Sequence, residues 1–72
     1  MDMKRNSLTK EQLNETVKVT CYGKTKSYKR SKALDFFLNR MNACDPDSSE
    51  YERYENIYYQ LREGKMEASD MN

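Results

Sequence analysis

The sequence contains no histidine, a single proline and only two glycines. Histidine is the commonest general base and a frequent metal ligand near neutral pH, so its absence argues against chemistry that relies on it. Two glycines, Gly23 and Gly64, are too few to form a glycine-rich phosphate loop. We therefore expect a protein that is not an enzyme and that has neither a cofactor nor a metal ion.

The sequence also lacks the features of secreted and membrane proteins. Its two cysteines, Cys21 and Cys44, could form one disulfide, but they lack the spacing of a zinc or redox motif. Residues 1–12, MDMKRNSLTKEQ, are partly basic but contain no apolar signal segment. No apolar run approaches the length of a membrane span. We expect a cytoplasmic protein with reduced cysteines and no membrane contact.

The composition favours one small folded domain. The chain has 72 residues, of which 36% are hydrophobic and 35% are charged. Its six tyrosines and two phenylalanines favour folding, because disordered segments contain few aromatic residues. A chain of this length buries only about 60% of the surface that its unfolded form exposes, so partners often add stability.

Residues 1–15 are interpreted as an N-terminal extension with a short helix. Thr9 and Gln12 have the spacing of a capping box, which predicts a helix from Lys10 to about Glu15.

A β-hairpin is predicted next. Residues 16–22, TVKVTCY, alternate apolar with polar side chains, as a half-buried strand does. Residues 23–24, Gly-Lys, suit a type II′ turn. This turn would place Val19 opposite Tyr28 on the core face of the hairpin.

The second helix is predicted from about Ser31 to Cys44, with Ser31 as its N-cap. Its apolar face consists of Leu34, Phe37, Leu38, Met41 and Cys44, flanked by Phe36.

The third helix follows a linker in which Asp47, Ser48 or Ser49 acts as the N-cap, and Gly64 is its expected C′ residue. Tyrosines dominate the apolar stripe of this helix: Tyr51, Tyr54, Ile57, Tyr58 and Leu61. We expect most of the stripe to pack in the core, leaving Tyr51 and Tyr59 as candidate exposed aromatic contacts.

Together these elements predict an α+β fold, in which a β-hairpin packs on two antiparallel helices and a short N-terminal helix precedes them. Residues 16–64 would form the compact domain and residues 65–72 a flexible tail. An open hairpin edge or surplus aromatic surface would allow self-association or the binding of a protein partner.

The basic residues cluster in the hairpin. Between Thr16 and Leu34 there are six basic residues and no acidic one. Five of them are candidate contacts to nucleic-acid phosphates: Lys24, Lys26, Lys29, Arg30 and Lys32. Alternatively, the lysines protect an exposed edge strand from aggregation. A net charge of +1 is low for a nucleic-acid-binding domain.

Several segments carry a family resemblance. These are Val19-Thr20-Cys21-Tyr22-Gly23, the stretch from Arg30 to Phe37, the pattern ERYxNIYxQLxEG in residues 52–64, and Ser69-Asp70. In these segments the chain resembles small uncharacterised proteins that are encoded in conjugative transposons and related mobile elements of Gram-positive gut bacteria. The resemblance implies a bacterial cytoplasmic origin and brings no established activity or ligand.

The leading hypothesis is a non-enzymatic protein-interaction module that is accessory to a mobile element. The alternative hypothesis is an auxiliary nucleic-acid-binding protein that uses the basic hairpin.

Overall fold

The computed structural model describes residues 8–71 and confirms the α+β fold class. The elements in chain order are α1 (Lys10–Leu13), β1 (Thr16–Cys21), β2 (Lys24–Lys29), α2 (Arg30–Ala43), α3 (Ser49–Arg62) and β3 (Glu67–Ser69). The three strands form one sheet in the order β2-β1-β3, in which β1 pairs antiparallel with β2 and parallel with β3.

The short helix α1 begins with the predicted capping box. The Gln12 backbone N–H donates to the Thr9 hydroxyl at 3.1 Å, and the Thr9 N–H donates to the Gln12 side-chain oxygen at 3.0 Å. Reciprocal bonds of this kind satisfy N–H groups that the first turn leaves without helical partners. The helix ends at Leu13, before the predicted end at Glu15.

The hairpin forms, but its predicted pairing is wrong. Tyr22 and Gly23 occupy the turn, with φ values of 55° and 78°. Two consecutive positive φ values correspond to a type I′ turn, whose twist matches that of the flanking strands. The pairing is therefore displaced by two residues from the prediction, and Val19 lies opposite Lys26 instead of Tyr28. An even displacement keeps every side chain on its predicted face.

The start of α2 also differs from the prediction. The helix begins at Arg30, and its N-cap is Lys29, whose side chain makes no capping hydrogen bond, so Ser31 is not the cap. Strand β2 leads directly into the helix without a linker. The Arg30 N–H pairs with the carbonyl of Glu15 at 2.8 Å, so the residue before β1 satisfies the first N–H of the helix.

The buried face of α2 is rotated relative to the predicted face, although Phe37 and Met41 are buried as predicted and Leu34 packs partly buried against the core. Ala33, Phe37 and Met41 are buried, whereas Leu38 is 38% exposed. Because β2 continues into α2 without a linker, the end of the strand determines which face of the helix is turned toward the core. The spacing of apolar residues within the helix does not contain this information.

Helix α3 has the predicted ends. The Ser48 hydroxyl accepts a hydrogen bond from the Tyr51 N–H at 3.1 Å. At the other end, the N–H groups of Lys65 and Gly64 donate to the carbonyls of Gln60 and Leu61, which is the Schellman pattern. Gly64 has φ 91°, which confirms it as the C′ residue.

The last segment is not a simple tail. We expected residues 65–72 to be flexible, but β3 pairs with β1, Ala68 is buried opposite Val19, and the Asp70 side chain is buried. The turn after Gly64 returns the chain to the free edge of β1. The ordered domain therefore extends beyond its predicted limit at residue 64.

The core forms where both helices cover one face of the sheet. Its buried apolar members are Val17, Val19, Ala33, Phe37, Ile57, Leu61 and Ala68. Tyr54 and Tyr58 pack against this cluster and are partly buried, as the tyrosine stripe predicts.

Arg30 also lies in the interior, with 0% of its surface exposed. Its guanidinium donates to the carbonyl of Leu61 at 2.9 Å and to that of Lys65 at 2.8 Å. It also donates to Gln12 O and to the Glu15 carboxylate, both at 3.0 Å. The last carbonyls of a helix have no partners within the helix, so the end of α3 can accept hydrogen bonds from the guanidinium. These bonds compensate for the free-energy cost of burying the charged side chain.

Candidate partner-binding edge and groove

The outer side of β2 is an open edge of the sheet. On the adjacent strand, the backbones of Lys18 and Thr20 hydrogen-bond to the segment that contains β3. Their cross-strand partners, Ser27 and Thr25, must therefore direct backbone N–H and C=O groups away from β1. Within residues 8–71, these outward groups have no strand beside them.

Alternation along β2 places its lysines on two different faces. Lys26 lies opposite the buried Val19, so Lys26 and Lys24 belong to the face that the helices cover. Lys29 belongs to the opposite face, and Lys32 is exposed in α2. The four lysines do not form one continuous surface.

Arg30, the fifth predicted phosphate contact, is unavailable for that role. Its side chain is fully buried, and its donors are engaged by the carbonyls and the carboxylate described above. The prediction failed because a basic residue next to four lysines was interpreted as part of their surface. Arginine is rarely buried without partners, and the partners that α3 supplies here are distant in sequence.

A cavity of about 330 Å³ adjoins the open edge, between the hairpin, α2 and α3. We call it the hairpin groove. Five aromatic side chains line it: Tyr22, Tyr28, Phe36, Phe37 and Tyr54. Its volume is at the lower end of the range for small-ligand sites.

The aromatic rings of the groove contact one another. The ring centroids of Phe36 and Phe37 are 5.0 Å apart in an edge-to-face pair, and those of Tyr28 and Phe36 are 6.0 Å apart in a stacked pair. Phe36 nevertheless remains 39% exposed and Tyr22 54% exposed. The groove therefore exposes aromatic surface, and the contacts between the rings hold this surface in place.

The charged groups of the groove are all cationic. Lys24, Lys26 and Arg40 line it, and no carboxylate does. The Arg40 guanidinium lies 4.9 Å from the Phe36 ring centroid in a cation–π contact. None of the three cations forms an ion pair with a carboxylate among residues 8–71. An anionic group would therefore complement the groove.

The hairpin tip is anchored to α3 and to the segment after β3. The Tyr22 N–H donates to Asp70 Oδ2 at 2.9 Å, and the Tyr22 hydroxyl donates to Glu50 at 3.3 Å. The Arg53 guanidinium lies 4.3 Å from the Tyr22 ring centroid. These contacts hold Tyr22 at the mouth of the groove.

Asp70 is the buried acid of this anchor. Arg53 Nη1 lies 2.6 Å from Asp70 Oδ2, and the Asp70 side chain is 0% exposed. Burial alone would raise the pKa of Asp70, but the hydrogen bonds from the Tyr22 N–H and from Arg53 stabilise the carboxylate. The net effect is a pKa below the ordinary aspartate value.

Two other groups that line the groove have raised pKa values. Burial, reinforced by the negative charge of Asp70, raises the pKa of the Cys21 thiol. Burial also raises the pKa of Tyr54. Both groups are neutral near pH 7, so they do not offset the cationic charge of the groove.

A second cavity, also of about 330 Å³, lies beside Asp70 and is lined by residues of both charge signs, including Glu52 and Arg53. Asp70 and Arg53 form an ion pair there, so the buried acid and the arginine of this cavity already neutralise each other.

The two candidate exposed tyrosines lie outside the groove. Tyr59 is 51% exposed, and its ring makes an edge contact with Tyr58 at 5.9 Å. Tyr51 is partly buried, and its N–H donates to the hydroxyl of Ser48, the N-cap of α3. The structure does not bring Tyr51 or Tyr59 into the lining of either cavity.

Sequence reasoning missed the groove as a site. A usable signal is the two-residue period of Lys24, Lys26 and Tyr28, which places two cations and an aromatic ring on one face of a strand. The contributions of Phe36 and Arg40 depend on how α2 packs, and no local pattern contains that information.

Residues 8–71 contain neither a metal-binding cluster nor a membrane-spanning helix. No cluster of three or more cysteine, aspartate or glutamate side chains is arranged to hold a metal ion. No helix in this part of the chain is both long and apolar enough to span a membrane.

Comparisons of the chain with protein-family models, with curated proteins and with solved structures find no match. What the edge and the groove can bind must therefore be deduced from their own geometry and charge.

Proposed function

We propose that this chain is a non-enzymatic protein-interaction module that binds an extended segment of a partner protein along the open edge of β2. The observation that carries the proposal is the outward direction of the Thr25 and Ser27 backbone groups, which no strand in residues 8–71 covers. A partner segment that adds as a fourth strand would pair with them. Such strand addition gains affinity from main-chain hydrogen bonds.

The charge of β2 favours a partner other than a second copy of this chain. The strand has the sequence KTKSYK and contains no acidic residue. Pairing of two β2 strands would bring lysines close together, and like charges on facing strands are destabilising. Lysines on an edge strand therefore disfavour self-association while leaving the backbone accessible to an acidic segment.

We also propose that the module is accessory to a mobile element and acts in the bacterial cytoplasm. The support for this part is the resemblance in residues 52–64 and in the shorter segments around Val19, Arg30 and Ser69. Co-occurrence of the coding sequence with conjugation or recombination genes would support it. A consistently different genomic context would contradict it.

The first test uses a random peptide library displayed on phage and selected on the immobilised protein. Ser27→Pro removes an outward N–H, a change that an edge strand tolerates, and Ser27→Ala is the matched control that keeps the N–H. We expect selected peptides to lose binding to Ser27→Pro and to retain it with Ser27→Ala. Circular dichroism establishes that both variants are folded.

Amide hydrogen exchange provides the second readout. In the free protein the Thr25 and Ser27 amides should exchange faster than those of Lys26 and Tyr28, which face β1. Bound peptide should slow exchange at Thr25 and Ser27. Selected peptides that leave these two amides unprotected would contradict strand addition.

Nucleic-acid binding remains the alternative, because Lys24 and Lys26 lie near the half-exposed ring of Tyr22, a combination that can hold phosphates and stack a base. Gel-shift assays with single- and double-stranded DNA and RNA across a salt series test it. A salt-sensitive shift that Lys24→Glu and Lys26→Glu abolish would favour this alternative. Absence of any shift at low salt would exclude it.

A further inference from the structure

We infer that the hairpin groove selects the side chains of the bound segment, and that its ligand is an alternating acidic–aromatic strand in which carboxylates lie two residues before and after an aromatic residue. This inference rests on the proposed strand addition at β2. It adds the chemical class of the partner, which the open edge alone does not specify.

Strand geometry brings the partner's side chains to the groove. A strand that pairs with β2 lies about 4.8 Å from it, and every second side chain points to the helix-covered face. Lys24, Lys26 and Tyr28 are the β2 residues on that face, and all three line the groove. Alternate partner side chains would therefore lie beside these three residues.

The cations of the groove select the acidic positions. A partner aromatic residue beside Lys26 would place one carboxylate beside Lys24 and the other beside Tyr28, so that Lys26 is the diagonal neighbour of both carboxylates. Arg40 is the cation near the Tyr28 end of the groove, because its guanidinium contacts the Phe36 ring, which stacks with Tyr28. Because residues 8–71 provide no ion-pair partner for these groups, partner carboxylates would not have to displace an internal acid.

The aromatic wall selects the position between the acids. Phe36 and Tyr22 expose ring surface into a cavity of about 330 Å³, and Phe37 and Tyr54 line the deeper wall. An aromatic side chain of the partner can pack edge-to-face or offset-stacked on these rings. An apolar cavity of about 150 Å³ can hold a benzene ring, so the groove has room for one partner aromatic residue together with parts of the flanking acids.

The opposite face of β2 imposes no comparable selection. There the hairpin presents Thr25, Ser27 and Lys29 beside Thr20 and Lys18, all of them exposed or half-exposed polar side chains. Partner side chains at the intervening positions would face solvent, so small polar residues are expected between the acidic and aromatic ones.

Three synthetic peptides test this class of ligand, each labelled with fluorescein and followed by fluorescence anisotropy. TETFTET has the alternating pattern, TTEEFTT has the same composition without alternation, and TKTFTKT reverses the charge. We expect TETFTET to bind at least tenfold more tightly than either of the others. Equal affinity for TETFTET and TTEEFTT would overturn the inference, because composition alone would then account for binding.

Charge-reversal variants locate the binding. Lys26→Glu should weaken TETFTET at least tenfold, whereas Lys32→Glu, which changes an exposed lysine outside the groove, should have little effect. The double variant Lys24→Glu, Lys26→Glu should bind TKTFTKT more tightly than the unchanged protein does. This gain cannot result from misfolding, and its absence would contradict the assignment of the groove.

Hydrogen exchange separates the two proposals. Protection of Thr25 and Ser27 by TETFTET, together with weak binding of TTEEFTT, supports both. Equal protection by peptides of any pattern supports strand addition and overturns the selective groove. If display-selected peptides and all three synthetic peptides leave both amides unprotected, strand addition and the inference both fail.

Discussion

The side-chain amide of Gln60 pairs with both backbone groups of Ser69. Gln60 Nε2 donates to the Ser69 carbonyl at 2.8 Å, and Gln60 Oε1 accepts from the Ser69 N–H at 3.1 Å. This side chain therefore occupies the place that a neighbouring strand would take beside β3. Of the two outer strands, β3 is covered in this way and β2 is not.

Substitution of Gln60 should destabilise the fold and expose the β3 edge. Gln60→Leu keeps a side chain of similar size but leaves the partly buried backbone groups of Ser69 without partners, at a cost of about 1–3 kcal/mol. For a domain of this size, 1 kcal/mol corresponds to roughly 4–8 °C in melting temperature. Thermal denaturation measures the loss, and an unchanged melting temperature would show that the pairing adds no stability.

Arg30 is expected to be the most sensitive polar position in the structure. Arg30→Lys keeps the charge but supplies at most three donors from one point, so several of the carbonyls that Arg30 binds lose their partners. We expect a loss of about 2–4 kcal/mol, comparable to other disrupted buried ionic groups.

Urea denaturation measures the effect of Arg30→Lys. The matched control is Lys32→Arg, an exposed position in the same helix, which should change stability by less than about 0.5 kcal/mol. Equal stability of Arg30→Lys and the unchanged protein would contradict the network described for this guanidinium.

The Asp70 carboxylate should make stability depend on pH. Because its folded-state pKa lies below the ordinary value of about 3.9, the charged form stabilises the fold fully above that pH. The stabilisation is lost as the pH falls from there through the lowered pKa. Asp70→Asn should therefore melt several degrees lower than the unchanged protein at pH 7, and the difference should shrink below pH 4.

Thermal melts at intervals between pH 2.5 and 7 test the Asp70 prediction. Asp35→Asn alters an exposed aspartate in α2 and serves as the control. A difference between Asp70→Asn and the unchanged protein that stays constant across this range would contradict the stated role of the carboxylate charge.

The turn at Tyr22 and Gly23 should tolerate asparagine better than alanine. A Cβ atom at Gly23 meets nothing within 4 Å, so the effect of substitution comes from its φ of 78°. Gly23→Ala should cost about 1–2 kcal/mol, because an L-residue is strained in the left-handed region. Gly23→Asn should cost less, since asparagine adopts this conformation more readily. Equal losses in urea denaturation would contradict this explanation.

The elements with local signals could be predicted from the sequence. The capping box of Thr9 and Gln12, the stop at Gly64 and the face alternation of β1 all depend on residues within a few positions of one another. These features do not need information about distant parts of the chain.

The hairpin pairing was wrong because the turn places a tyrosine at positive φ. Glycine-first turns are the usual expectation for Gly-Lys, and a non-glycine residue in the left-handed region is uncommon. The contacts of Tyr22 with Arg53, Glu50 and Asp70 show why it is tolerated here. All three partners lie far away in the sequence.

The strand β3 and the burial of Arg30 could not be predicted for the same physical reason. A three-residue strand has little intrinsic stability and forms because β1 offers a free edge and Gln60 covers the other side. Arg30 is buried because the end of α3 supplies acceptors. Both depend on the assembled tertiary structure.

The Arg30 guanidinium has a consequence for how the molecule opens. It binds the carbonyl of residue 12 near one end of the described chain and those of residues 61, 64 and 65 near the other. If either of these segments unfolds, the buried guanidinium loses some of its hydrogen-bond acceptors. Its unpaired donors then destabilise the packing of the other segment. The segments around residues 12 and 65 should therefore unfold cooperatively, so that neither frays without the other.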